Sequence, residues 1–182
     1  MQKDFEEVRN FWDSNAGDWE IQVGNDGDSN RQINSDPVLW QLAGNIKGLR
    51  VLDAGCGTGY LCRKLSEKGA KVTGVDISSK MIEIAKRKNP DLKFLVDSCS
   101  NLKDLHDSNF DLIISNYVLM DTPDLPGTLT AFARVLKPGA AAVLIFSHPC
   151  FPQGRTAVSR NHETIDYRWE YNYFEDTRCT DP

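Results

Sequence analysis

Apolar residues follow two different periods along the first 146 positions. Over about residues 3–14, Phe5, Val8, Phe11 and Trp12 recur at helical spacing and predict an amphipathic helix. Residues 22–34 are rich in Gly, Asn and Asp and carry no period, which predicts a loop or lid. Ser35-Asp36-Pro37 starts a second helix, with Val38, Leu39, Leu42, Ala43 and Ile46 as its buried stripe. Short apolar runs then predict strands at 50–54, 71–75, 92–96, 110–115 and 140–146. Helices fill the intervals. One follows Gly59 with Leu61, Cys62 and Leu65 inward and stops at Gly69; one is capped by Ser78 with Met81, Ile82 and Ala85 inward. Its basic end, Lys86-Arg87-Lys88, reads as a solvated helix terminus before the breaker Asn89-Pro90. A last helix over 125–136 is expected to bury Leu129, Phe132, Ala133 and Leu136, and Lys137-Pro138-Gly139 to turn the chain into the fifth strand. Strands alternating with helices in this way argue a doubly wound α/β sheet, mostly parallel, with helices on both faces.

Beyond His148-Pro149 the pattern changes. Tyr167, Trp169, Tyr171 and Tyr173 alternate with polar residues, the signature of a strand with one aromatic face. The 182 residues fit one domain: N-terminal helices and lid over 1–48, a core over 49–148 and a C-terminal segment over 149–182. The net charge of −5 disfavours a phosphate-binding surface, hence nucleic acid as partner. The five cysteines form no CxxC pair, so reduced thiols are expected rather than a metal site. The N-terminus lacks the apolar core of a signal peptide, and the longest apolar run, 140–146, is far short of the ~20 residues that span a membrane. A cytoplasmic protein without a membrane partner, monomer or homodimer, is expected.

The candidate chemistry starts at Val51-Leu52-Asp53-Ala54-Gly55-Cys56-Gly57-Thr58-Gly59-Tyr60, a strand running through alternate glycines into a helix. Glycine lets the backbone turn tightly and approach a ligand, and the helix N-terminus behind it favours polar or anionic groups. Two further strands end in acids, Asp76 and Asp97, and a fourth ends in Asn116-Tyr117. Asp76 lies 21 positions after Gly55, where a carboxylate at the end of the second strand accepts from ribose hydroxyls. The G-x-G-x-G loop with Asp53 resembles motif I of class I S-adenosylmethionine (SAM) dependent methyltransferases of the small-molecule type. The likeness extends to the aromatic opening 11–19 and to Arg134-Val135-Leu136-Lys137-Pro138-Gly139. It implies a Rossmann-like fold. That fold continues past its fifth strand with another helix and an antiparallel pair, for which 149–182 offers no candidates, so a fragment of a longer protein is expected.

The resemblance implies Asp53, Gly55, Cys56, Gly57 and Gly59 around the methionine part of SAM, and Asp76 at its ribose. It implies Asp97 and Ser98 at the adenine amino edge, Ile77 and Met81 on the adenine faces, and Trp19 bordering the cofactor. Asn116 and Tyr117 would sit near the transferring methyl. Methyl transfer is direct displacement from an activated sulfonium, leaving S-adenosylhomocysteine, so the protein's task is alignment and desolvation. If the acceptor must lose a proton, His148 is the candidate base, then Asp121 and Tyr117. Asn116-Tyr117-Val118-Leu119 lacks the two prolines of a DNA amino-methyltransferase box, so a small-molecule acceptor is expected. Two other readings stay open: an NAD-dependent oxidoreductase, which Asp76 would also suit, and a non-catalytic methyltransferase-like module.

Overall fold

The computed structural model describes residues 4–147 and two short strands beyond them. Residues 4–146 lie in one compact unit, and the chain from Ser147 onward belongs to a second. In that second unit β6 (Ala157–Val158) and β7 (Ile165–Asp166) pair antiparallel. The expected aromatic strand at Tyr167–Tyr173 lies outside the described residues.

In the first unit, α1 (Phe5–Val23) and α2 (Asp36–Ala43) precede a regular alternation. It runs β1 (Arg50–Ala54), α3 (Tyr60–Glu67), β2 (Lys71–Asp76), α4 (Ser79–Lys88), β3 (Lys93–Val96), β4 (Phe110–Asn116), α5 (Leu125–Val135) and β5 (Leu136–Ile145). The sheet order is β3-β2-β1-β4-β5 and every pairing is parallel. This is the Rossmann-like doubly wound architecture. Between β1 and β4 the order reverses, so their C-terminal ends splay apart and leave a crevice, where ligands of such sheets bind.

The two faces of the sheet carry two cores. Val51, Leu112 and Ile114 point to one, with Leu61, Cys62 and Leu65 of α3, Ile82 and Ala85 of α4, and Leu39 of α2. Leu52, Ala54, Val75 and Ile113 point to the other, against Ala131, Phe132 and Val135 of α5 and Leu102 and Leu105 of the β3–β4 connection. The period of two within each strand and of 3.6 within each helix are what sort these side chains.

The elements at the chain's start depart most from expectation. α1 continues nine residues beyond position 14, through Gly17, and ends only at Val23 with Gly24 at positive φ. Its buried side chains are Val8, Ala16 and Val23, whereas Phe5 and Phe11 face solvent. The expected loop is mostly helical as well. Residues Arg31–Ser35 form one π-helical turn that runs directly into α2, so Ser35 is no N-cap. The polar residues that hide this period act as caps: Asp28 accepts from the Arg31 amide at 2.9 Å, and the Gln32 side chain donates to the Gly27 carbonyl at 2.6 Å. In α2 only Leu39 is fully buried, while Val38 and Leu42 face outward.

α5 is rotated relative to its predicted stripe. Thr128, Ala131, Phe132 and Val135 are buried, and Leu129 and Ala133 are exposed. Thr128 turns inward because its hydroxyl bonds that of Thr122 at 3.0 Å. Lys137-Pro138-Gly139 is not a separate turn but an irregularity inside β5. The register passes from Phe110↔Leu136 to Leu112↔Ala141 across it, and Gly139 takes φ +79°.

Arg134 ties α5 to the β3–β4 connection. Its guanidinium donates to the carbonyls of Leu102 and Leu105, each at 2.9 Å, and of Asn101 at 3.2 Å, and pairs with Asp107. Arg134→Ala is expected to lower the unfolding free energy by about 1–3 kcal/mol in urea titrations, the scale for charged hydrogen bonds. Amide exchange over 98–105 should accelerate beyond what that global loss explains. Unchanged exchange there would show that the packing of Leu102 and Leu105 alone holds the segment.

Candidate active site

The crevice is a cleft of about 870 Å³, the open space at its mouth included. Its floor is the β1–α3 loop. Gly55 and Cys56 donate their amides to the Val75 carbonyl at 2.8 and 2.9 Å, which fixes the loop against the end of β2. Gly57 donates to Asp76 Oδ2 at 2.9 Å, and Ser78 donates its amide to Asp76 Oδ1 at 2.9 Å. The three glycines all take positive φ, yet they serve different ends. A Cβ on Gly55 would lie 2.2 Å from Val118 Cγ2, and one on Gly57 would lie 3.2 Å from Trp19 Nε1. One on Gly59 would meet Ala85, Asn89 and Phe94 at 3.1–3.2 Å. Gly55 and Gly57 thus keep the cleft's floor low, while Gly59 lets α3 start close against α4 and β3.

Two carboxylates stand in this floor. Asp53 is 2% exposed and Asp76 9%. Asp76 has backbone N–H donors on both oxygens; burial still raises its pKa, with those donors from Ser78 and Gly57 opposing the rise. Asp53 accepts from the Cys62 thiol at 3.0 Å. Burial, aided by the neighbouring Asp76 charge and opposed by that thiol, lifts its pKa to about 7. Burial likewise pushes the Cys56 thiol up to about 11 and that of Cys99 higher still, so these sulfurs are poor nucleophiles. Cys56, Cys62 and Cys99 are all free and buried.

The walls come from distant segments. Trp12 and Trp19 of α1 meet edge to face with centroids 5.1 Å apart, and both line the cleft. The Arg31 guanidinium lies 4.7 Å from the Trp19 centroid, 5.6 Å from Tyr117 and 5.8 Å from Tyr60, and is paired to Asp28 at 2.8 Å. It is the one cation lining the cleft among the described residues. Asn116 donates to the Tyr60 hydroxyl at 3.3 Å, which donates to Asp36 Oδ1 at 3.1 Å, and Lys64 meets Asp36 Oδ2 at 3.2 Å. Asn116 Oδ1 is buried without a hydrogen-bond partner, an acceptor the protein itself leaves unused. Tyr117 holds φ +60°, unusual for a residue with a side chain, and its hydroxyl accepts from Asn30 at 3.1 Å.

Twelve of the site residues named from sequence therefore line one cleft: Trp19, Asp53, Gly55, Cys56, Gly57, Asp76, Ile77, Met81, Ser98, Asn116, Tyr117 and Asp121. Gly59 and Asp97 do not. The Asp97 carboxylate is turned into its own chain, accepting from the amides of Ser98 at 2.8 Å and Lys103 at 2.9 Å, so Ser98 and Cys99 are what that turn presents to the cleft. His148 lies outside the described residues. Sequence reasoning missed Arg31, Tyr60, Trp12 and Val118. For Arg31 one signal was available, the Asp28–Arg31 spacing of three after Gly27, which marks a capped turn.

Residues 52–144 match the methyltransferase domain family, over half of the chain. The chain belongs to that family. Among relatives, malonyl-[acyl-carrier protein] O-methyltransferase from Hamiltonella defensa is 38% identical over 109 residues, 60% of this chain and 41% of that protein. Demethylmenaquinone methyltransferase from Tropheryma whipplei is 38% identical over 112 residues, 60% of this chain and 46% of that one. This chain thus spans under half the length of both. Magnesium protoporphyrin IX methyltransferase from Synechocystis PCC 6803, solved with bound SAM, superposes with TM-score 0.60 at 29% identity, over 75% of this chain and 73% of that one. The cleft fits such a donor on its own terms: a glycine floor that a single Cβ would obstruct, two buried acids, a cation and an orphaned amide oxygen.

Two outcomes are expected. In Gly55→Ala the methyl group meets Val118 and the residue keeps φ +80°, costing about 1–3 kcal/mol by overpacking and ~1–2 kcal/mol by backbone strain. Calorimetry should show SAM binding lost, and the double variant with Val118→Ala should regain the overpacking part of the stability. The second concerns pH. Asp53 binds its proton more tightly folded, at about 7, than unfolded, near 3.8. The folded state therefore holds the extra proton across that window, and stability falls as pH rises through it. The loss is on the order of 4 kcal/mol at most. Urea midpoints of the free protein measured from pH 4 to 8 should show this slope, and Asp53→Asn should flatten it.

Proposed function

We propose that this chain is the donor-binding part of a methyltransferase that passes the SAM methyl group to a small organic acceptor. The observation that carries the reading is the convergence of Asp53, Gly57, Asp76 and Asn116, from three strand ends and one loop, on a single cleft. When bound, SAM supplies an activated methyl on a sulfonium. The chain's residues have the remaining work of holding, orienting and drying the site.

Asp76 would hold the ribose. Its oxygens each use one lone-pair direction on a backbone amide, which leaves acceptor capacity for two hydroxyls. Ile77 and Met81 would pack on the adenine, with Ser98 at its polar edge and Asp97 acting by shaping that turn. Arg31 would face the methionine carboxylate, with Asp53 on the amino side. Trp19 over Gly57 would exclude water. Tyr117, Asp121 and Asn116 would border the acceptor.

The acceptor class is read more coarsely. The named relatives and the solved neighbour are named for three different acceptors. Each is a metabolite or carrier-bound group rather than a nucleic acid, which together with the net charge of −5 favours a small-molecule acceptor here. None of the helices in the described part is long and apolar enough to cross a membrane. Cytoplasmic location and a monomeric or dimeric state complete the proposal.

Titration calorimetry tests the donor. SAM and S-adenosylhomocysteine should bind in the micromolar range and NAD should not; tight NAD binding without SAM binding would overturn the reading. Asp76→Ala should weaken SAM by about 1–3 kcal/mol, the value of charge-assisted hydrogen bonds lost to the ribose. Equal affinity for both proteins would remove Asp76 from the ribose site.

A further inference from the structure

The cleft holds an unbalanced charge. Asp53 and Asp76 sit at corresponding ends of adjacent parallel strands, both buried and both lining the same space. Asp76 is engaged by two backbone amides, whereas the hydrogen bond to the Asp53 carboxylate comes from a thiol, a weak donor. Asp53 is surrounded by acids and neutral groups. From β2 comes Asp76; from α3 come Cys62 and the Tyr60 phenol; from the loop comes Cys56; and from the segment after β3 comes Cys99. Asn116 of β4 also lines the cleft and is neutral. Arg31, the cation of the cleft, is already paired with Asp28 and stacked over Trp19. Burial in such surroundings favours the protonated carboxyl, and an arriving positive charge favours the carboxylate.

We propose that Asp53 is a proton-coupled sensor of the donor's cationic methionine part: the free protein carries a proton there that it gives up when that part enters. This rests on the reading of the cleft as a SAM site. The balance is simple. Asp53–COOH and the incoming cationic donor give a carboxylate–cation pair, and the proton leaves to buffer. The thiol of Cys62 keeps its hydrogen and goes on donating to the carboxylate. The free-state value of about 7 places the coupling in the physiological range. Affinity for SAM then rises with pH up to about 7 and levels off above it, at most tenfold per pH unit for one proton. Asp53 thereby distinguishes a complete donor from the neutral nucleoside remnant that lacks the amino acid.

The test is calorimetry in buffers of different ionisation enthalpy at pH 6, 7 and 8.5. The probes are SAM and 5′-methylthioadenosine, which offers the adenosine without the ammonium or sulfonium. SAM should release close to one proton at pH 6, about half at pH 7 and little at pH 8.5. Methylthioadenosine should bind with no proton exchange and no pH trend. Asp53→Asn, which keeps the shape and an acceptor for Cys62, should bind SAM without releasing a proton. SAM binding with no proton release at any pH, or the same release from Asp53→Asn, would overturn the proposal while leaving the SAM site intact. Failure of SAM to bind wild type at any pH would instead defeat the SAM reading itself.

Discussion

The structure depends on one bond between backbone and side chain, the Gly57 amide donating to Asp76 at 2.9 Å. It joins the glycine loop after β1 to the carboxylate that ends β2, and so converts two neighbouring strand ends into one surface. The bond needs Gly57 at positive φ, and the loop's other amides must already be placed by the Val75 carbonyl. Ser78 then has a double part. Its amide completes the Asp76 pair, while its hydroxyl caps α4 at Met81 and donates to Asp13 of α1 at 2.6 Å. Floor, α4 and the covering helix are therefore coupled through three consecutive residues, Asp76 to Ser78.

Burying that carboxylate beside Asp53 opposes stability, and the surrounding fold offsets it. Asp76 recovers part of its lost hydration from oriented amides. Among the described residues, Asp53 has only a thiol donor to offset burial, which lifts its pKa to about 7. Such a group is tolerated where a ligand completes it. Asn116 Oδ1 is a second polar atom of the same kind, and it lines the same cleft. The two unmet needs are complementary in chemistry to a ligand that carries both positive charge and hydrogen-bond donors.

What could be read from the sequence follows from how local each cause is. The first four strands of the sheet, the Ser78 cap and the inward faces of α3 and α4 depend on period and on neighbours a few residues away, and they stand where expected, while β5 begins four residues early, at Leu136. The side of α5 that turns inward depends on a threonine pair with the preceding loop, so the apolar Leu129 misled the reading. Gly59 and Asp97 have the right residue types at the right spacing, but contacts with α4 and β3 claim the first, and amides of its own turn claim the second. For Arg31 the local spacing from Asp28 marks a capped turn and nothing about the cleft. The arginine's surroundings, Trp19, Tyr60 and Tyr117, come from three separate segments that no local pattern connects.

The same contrast separates the floor of the cleft from its mouth. Floor contacts are buried amide–carboxylate bonds, whose loss leaves a buried charge unpaired and costs several kcal/mol in general. The contacts that close the mouth are of another order. Asn30 to Tyr117 is a single bond between partly exposed groups, and Lys88–Glu20 is a half-buried ion pair. Bonds of this kind contribute about 1 kcal/mol or less each. The cleft thus has a rigid half, built into the sheet, and a half attached by contacts weak enough to exchange for others. Under the proposed function that division has a use: the donor would be held by the part fixed in the fold, and the acceptor would meet the part whose contacts can change without unsettling it.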